Sequence, residues 1–191
     1  MRFLAAFVLA LLLAVPAWAQ APAGPAPDDD PENVLLMKLK DGTVVIQMLP
    51  DLAPNHVKRI KELVRKGFYD GAPFHRVVAG TIAQTGDPTG TGMGGSGKTI
   101  KAEFSYEHHM RGTVSMARSD DPNSADSQWF ICMKPMPGLD HQYTIWGKVI
   151  RGMEFVNHIK PGLDEEDGHV VDPDRIISLK IEADVYGVAR Q

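Results

Sequence analysis

Gly92-Met-Gly-Gly-Ser-Gly97-Lys98-Thr99 matches the phosphate-cradling pattern G-x-x-x-x-G-K-[ST] letter for letter. Such a loop offers backbone N–H groups and a lysine charge to phosphates, but it must join a strand to a helix. The next segment, Ile100-Lys-Ala-Glu-Phe-Ser-Tyr106, is short and shows no amphipathic helix of useful length. Glycine stands at 86, 90, 92, 94, 95 and 97, so a pattern asking for two glycines arises easily. Nucleotide binding is set aside. His108-His109 offers metal-binding nitrogens, yet adjacent side chains diverge and zinc needs three or four converging ligands. The pair reads as surface histidines in a loop. A Ser-His-Asp hydrolase is harder to dismiss by composition, but no G-x-S-x-G elbow is present. Asp164-Glu-Glu-Asp167 reads as a solvated acidic loop.

Composition narrows the chemistry further. The 191 residues, 43% hydrophobic and 23% charged, fit one ordinary globular domain. A net charge of −4 argues against a general nucleic-acid binder. The single cysteine, Cys132, excludes an intrachain disulfide framework and any multi-cysteine zinc site.

Residues 1–19 read as a signal peptide. Arg2 supplies positive charge, Phe3 to Val15 is an unbroken apolar run, and Ala17-Trp18-Ala19 follows the Pro16 break as a small-x-small cleavage site. A run of about 13 residues is short of the roughly 20 that span a bilayer. Cleavage after Ala19 leaves a chain starting at Gln20, without stable membrane insertion, and the loss of Arg2 takes the charge from −4 to −5. The expected compartment is the periplasm, with full secretion as the alternative. Export also separates the chain from the nucleotides that a phosphate loop would use. Residues 20–33 hold four prolines and Asp28-Asp29-Asp30, with almost no apolar side chain to bury, and read as a solvated leader.

The folded domain is expected over 34–191. Val34–Leu39 and Thr43–Met48 are β-rich runs joined by Asp41-Gly42, a strong hairpin signal because both residues tolerate positive φ. Pro54 opens a helix to Lys66, with Val57, Ile60, Leu63 and Val64 at helical spacing and Gly67 beyond its end. Strands are expected at Phe74–Val78, Ile82–Thr85, Thr113–Met116, Trp129–Met133 and Tyr143–Val149, a short helix at Met153–Ile159, and an alternating run at Arg175–Ala183. Many short strands separated by Gly and Pro indicate a barrel or sandwich.

Phe74-His-Arg-Val-Val78, Gln84-Thr-Gly-Asp87, the glycine-rich loop, Ser115-Met-Ala117, Ser127-Gln-Trp-Phe130 and Trp146-Gly-Lys-Val149 follow one another in an order and spacing that resembles the cyclophilins, a class of peptidyl-prolyl cis-trans isomerases. The resemblance runs from about Val34 to Val185. It implies a mainly β fold: a closed eight-stranded antiparallel β-barrel capped by two α-helices.

The implied reaction requires no cofactor and no metal. Rotation about a peptide bond breaks amide resonance, a barrier of about 18–20 kcal/mol, and X-Pro bonds exchange isomers over roughly tens to hundreds of seconds. A catalyst grips proline and favours the twisted amide, whose nitrogen gains lone-pair character. A guanidinium can donate to that nitrogen while staying charged at any relevant pH. The resemblance makes Arg76 the catalytic residue, with Gln84 holding substrate backbone or Arg76 itself. It makes Ile82, Phe130 and Leu139 the floor and wall of the proline pocket. His75, Ala117, Gln128 and Tyr143 border the groove, and the Arg118 backbone pairs with the peptide. Strand alternation puts Phe74 and Arg76 on one face with His75 on the other, and pairs Ile82 with Gln84 and Gln128 with Phe130.

Three positions depart from the commoner family pattern. Thr81 stands where many members have phenylalanine, Gly138 where drug-sensitive members have tryptophan, and Tyr143 where many eukaryotic members have histidine. The implied partners are proline-containing segments of exported proteins, handled by a monomer that binds neither nucleic acid nor nucleotide. A non-catalytic peptide-binding barrel is the rival reading, and Arg76 separates the two because binding alone does not require it.

Overall fold

The computed structural model describes residues 30–187, so the expected signal peptide and most of the leader lie outside the described residues. Pro31–Asn33, the end of that leader, forms a 3-10 turn whose Glu32 N–H donates to the Asp30 side chain. Strands β1 (Val34–Lys38) and β2 (Thr43–Met48) then pair antiparallel, with Lys38 opposite Thr43. Their connection is Leu39–Gly42, closed by the Leu39 N–H donating to the Gly42 carbonyl at 2.8 Å. The hairpin is as expected but its chemistry differs, since neither Asp41 nor Gly42 has positive φ. Glycine is needed at 42 because the Phe155 ring occupies the place of a Cβ.

Six further strands follow: β3 (Arg76–Val78), β4 (Ile82–Thr85), β5 (Thr113–Met116), β6 (Trp129–Cys132), β7 (Ile145–Arg151) and β8 (Ser178–Ile181). Three helices accompany them, α1 (Pro54–Arg65), α2 (Met153–Asn157) and α3 (Glu182–Tyr186). The last was not expected. The alternating run stops at Ile181, Glu182 places an acid in the first helical turn, and Gly187 at φ 60° closes the end.

The eight strands form one sheet in the order β3-β4-β6-β5-β7-β2-β1-β8. Its terminal strands share no ladder, so the sheet is curled and open, not the closed barrel that the resemblance implies. The reason lies at β3. Its outer edge is already taken, because the Val77 N–H donates to the Gly168 carbonyl at 2.7 Å and the Val77 carbonyl accepts from Gly162 at 3.0 Å. An isolated bridge between Pro73 and Arg175 joins the segments ahead of β3 and β8.

The sheet's two faces carry different cores. On one face Val57, Ile60, Leu63 and Val64 of α1 join a single core with Leu35, Val77, Ala83, Trp129, Ile131 and Leu179. Each such side chain, fully buried, contributes about 1.5–3 kcal/mol. The ring of Trp129 packs edge-on to Trp146 at 5.7 Å and to Tyr69 at 6.1 Å. Ala53 gives α1 no side-chain cap. The Glu103 carboxylate does so instead, accepting from the Asn55 and His56 N–H groups at 3.1 and 3.0 Å. The other face holds a second apolar cluster around Ile82, Phe130 and Cys132.

Candidate functional site

Strand register assembles this second face. Arg76 lies opposite Gln84, Gln84 opposite Phe130, and Phe130 opposite Ser115, one row across four strands. The neighbouring row is Val78, Ile82 and Cys132. Side chains alternate between the faces along each strand, so Trp129 and Ile131 go to the main core while Phe130 and Cys132 go to the site. Ile82 and Gln84 share a face, as do Gln128 and Phe130, as expected.

The alternation expected for Phe74 and Arg76 is corrected. Phe74 is buried in the main core, as is Val77, whereas Arg76 faces the site. The β3 ladder begins at Arg76, and the His75 carbonyl ahead of it accepts from Val170 at 3.0 Å. This departure from regular strand geometry breaks the two-residue period.

Apolar residues form the floor. Ile82, Phe130 and Cys132 are buried, and Val78, Ala117, Met136, Leu139 and Tyr143 pack against them. The Phe130 and Tyr143 rings meet edge-to-face at 5.7 Å. The Arg118 guanidinium lies 4.7 Å over the Tyr143 ring, and its Nε donates to the Gln142 carbonyl at 2.9 Å. Among the described hydrogen bonds the Arg118 backbone makes none, which leaves its N–H and carbonyl for an extended chain, just beyond Ala117, whose N–H donates to Gln128.

A polar relay runs along the rim. Gln128 Nε2 donates to the carbonyls of Gly92 and Gly94 at 2.9 and 2.8 Å. Its Oε1 accepts from Gln84 Nε2 at 3.0 Å, and Gln84 Oε1 accepts from Arg76 Nη1 at 3.2 Å. The glycine-rich loop is thereby tied to the guanidinium. His75 borders the same rim beside Arg76, Thr91 and Gly92. Burial pushes its pKa below the usual imidazole value, against the pull of the Asp87 charge, so the neutral ring is favoured.

Several contributors escaped the sequence reading. His109 is buried, not a surface loop residue, and stacks on Phe130 at 6.4 Å. Its Nδ1 meets Asp140 at 3.0 Å and its Nε2 meets Ser115 Oγ at 3.0 Å, bracing the floor from behind. Its exposed neighbour His108 meets the other Asp140 oxygen at 2.7 Å. Cys132 belongs to the floor, and burial pushes its thiol up to about 12, which makes it a packing group and not a nucleophile. Asp167, read as solvated, pairs with Arg76 Nη2 at 2.8 Å. Neither Asp140 nor Asp167 has a motif of its own; only spatial neighbours reveal them.

The glycine-rich loop does wrap an anion, and the anion is internal. Asp87 accepts from the N–H groups of Thr89, Gly92 and Gly94 at 2.7, 2.7 and 3.0 Å. Asp126 accepts from the Gly97 N–H at 2.8 Å. The element after Thr99 is strand β5, not a helix, and Ile100 makes an isolated bridge to Ala125. Calorimetry with ATP and magnesium is therefore expected to show no binding, and Lys98→Ala to leave isomerase activity within a few-fold. Micromolar ATP affinity lost in that variant would refute this.

Residues 34–181 match the model of the cyclophilin type peptidyl-prolyl cis-trans isomerase/CLD family. A probable peptidyl-prolyl cis-trans isomerase of Brucella suis is 51% identical over 167 residues, covering 81% of this chain and 85% of the relative. Peptidyl-prolyl cis-trans isomerase B of Bacillus subtilis is 40% identical over 127 residues, covering 65% and 88%. Among solved structures, a Cryptosporidium parvum cyclophilin type isomerase crystallised in the presence of the dipeptide Ala-Pro superposes with a TM-score of 0.70 at 28% identity, covering 78% of this chain and 98% of that one. The family model spans most of the chain and the relatives agree in sequence and in architecture, so the chain belongs to the cyclophilin-type peptidyl-prolyl cis-trans isomerases.

Proposed function

We propose that this isomerase acts on X-Pro bonds of exported proteins as they fold, with Arg76 as its catalytic residue. The observation that carries the reading is the juxtaposition of one guanidinium, held by Gln84, with the apolar floor of Ile82 and Phe130. Proline packs on that floor with Leu139 and Tyr143 as its walls. The chain on either side extends along Ala117 and the unpaired backbone of Arg118. Arg76 then donates to the proline carbonyl and to the amide nitrogen. That nitrogen becomes a better acceptor as the bond twists and loses resonance, so the interaction strengthens in the transition state and lowers the barrier.

Export rests on the apolar run Phe3–Val15 and the Ala17-Trp18-Ala19 site. The test has two arms. Cis-to-trans conversion of a short X-Pro peptide is expected to accelerate in proportion to the purified protein. Expression of the full chain in a Gram-negative host is expected to yield a periplasmic product beginning at Gln20. An uncleaved product retained in the cytoplasm would overturn the exported role and leave the chemistry standing.

Gly138 bears on inhibition. It lies in the 3-10 turn Pro137–Leu139, and a Cβ built there meets nothing within 4 Å. Without the tryptophan that drug-sensitive members carry there, a large apolar contact to cyclosporin is missing. Losing such a hot spot costs about 2 kcal/mol or more, over tenfold in affinity. Inhibitor titration is expected to show weak cyclosporin inhibition of the native protein and partial recovery of sensitivity in Gly138→Trp. Nanomolar inhibition of the native protein would refute this account.

A further inference from the structure

The acidic loop after α2 does more than cover the rim. Arg76 Nε donates to the Asp167 carbonyl at 3.0 Å and to its Oδ2 at 3.1 Å, while Nη2 donates to Oδ1 at 2.8 Å. Nη1 donates to Gln84. A guanidinium has five N–H donors in a rigid plane. Those contacts account for Nε and one hydrogen on each Nη, so one N–H on each Nη remains free of these partners.

Asp167 is itself held in place by the backbone around it. Its φ of 52° is left-handed, a conformation that aspartate tolerates better than most residues. Gly168 next to it packs against the Val77 backbone, with no room for a side chain. Gly162, Gly168 and Val170 all hydrogen-bond to His75 or Val77, fastening the loop to the edge of β3. A carboxylate 79% exposed contributes little to stability by pairing. Its geometry on the fork is what sets it apart.

We propose that Asp167 is a positioning residue for the isomerase reaction: it grips the Nε side of Arg76 so that the two remaining N–H groups point at the proline carbonyl and amide nitrogen. The proposal rests on Arg76 being catalytic. It predicts a loss in kcat with KM little changed, because the proline floor is untouched and the orientation of the donors matters in the transition state.

The test uses the full chain and three variants in a proline-peptide assay, with thermal unfolding alongside. Asp167→Gly keeps the left-handed backbone and the carbonyl contact, and removes only the carboxylate. It is expected to lower kcat about tenfold with unchanged melting temperature. Asp167→Asn keeps one acceptor and is expected to recover part of that loss. In an Arg76→Ala background, Asp167→Gly is expected to have no further effect, because a residue acting through Arg76 has nothing left to orient. Unchanged or raised kcat in Asp167→Gly would overturn the proposal, the second outcome marking a carboxylate that blocks the fork. Undiminished activity of Arg76→Ala alone would instead defeat the assignment of Arg76, which this series reads separately.

Discussion

Replacing Arg76 by alanine is expected to cut isomerisation by roughly a hundredfold or more, about 2.7 kcal/mol of transition-state stabilisation. The guanidinium reaches the rim from β3, where it bonds to Gln84 and Asp167 and not to the main core. The folded structure is therefore expected to survive, with circular dichroism and melting temperature close to the native values. Arg76→Lys tests the geometry. A lysine retains the charge as a compact point, without the planar fork that meets Gln84, Asp167 and substrate together, so it is expected to restore little activity. Near-native turnover in a folded Arg76→Ala protein would remove the guanidinium from the mechanism.

Replacing Asp87 by alanine is expected to be the most damaging single change outside the main apolar core. The carboxylate is fully buried. Besides the three N–H groups of the glycine-rich loop it accepts from the Thr89 and Thr91 hydroxyls, at 2.7 and 3.3 Å. Hydrogen bonds to a charged group are worth about 1.5–3 kcal/mol each, and deleting the acceptor strands several donors at once. A loss of about 3–4 kcal/mol is expected, near 10 °C in melting temperature for a domain of this size.

The pH dependence follows from the same geometry. Burial alone would raise the Asp87 pKa, but the Thr89, Gly94 and Gly92 donors outweigh it and hold the group at about 2. A carboxyl depressed in the folded state stabilises above its unfolded value near 3.9. That stability is lost as pH falls from there through about 2. Acid titration of the native protein and of Asp87→Asn tests this, because the variant lacks the Asp87 contribution to that slope. Gly92 and Gly94 also hold Gln128, and through it Gln84, so activity is expected to fall with the loop even where the fold persists.

Local pattern in the sequence carried most of the elements. Thr43–Met48, Ile82–Thr85 and Thr113–Met116 form strands with the expected bounds, because each is a β-rich run closed by turn residues or a charged flank. Pro54 and Gly67 frame α1 as expected. What the sequence did not show depends on partners distant along the chain. The open seam follows from residues 162–170 occupying the β3 edge, a pairing that no local periodicity encodes. His108-His109 looked like two equivalent loop residues, yet one ring is buried against Phe130 and the other is in solvent. The ten residues expected at the site do gather on one face and its rim, because the register of β3, β4, β6 and β5 brings motifs far apart in the chain into one row. Asp167 could not be told from its acidic neighbours, because its distinction is the arginine it meets and not its own surroundings in sequence.

The open sheet bears on how an extended peptide could dock. An unpaired strand edge is a template for any extended polypeptide, and an isomerase with the proposed folding role would meet such polypeptides constantly. Here the chain caps both ends of its own sheet. Residues 162–170 fill the β3 edge, and on β8 the Leu179 N–H donates to the Asp70 carboxylate at 2.9 Å. Lys180 reinforces that cap through a 2.7 Å ion pair with the same carboxylate. Beside the apolar floor, the Arg118 backbone makes no hydrogen bond among the described residues and stays open to a short stretch of peptide. On the proposed role, a client would be gripped over a few residues around its proline and not zippered along a strand, which favours quick release over trapping.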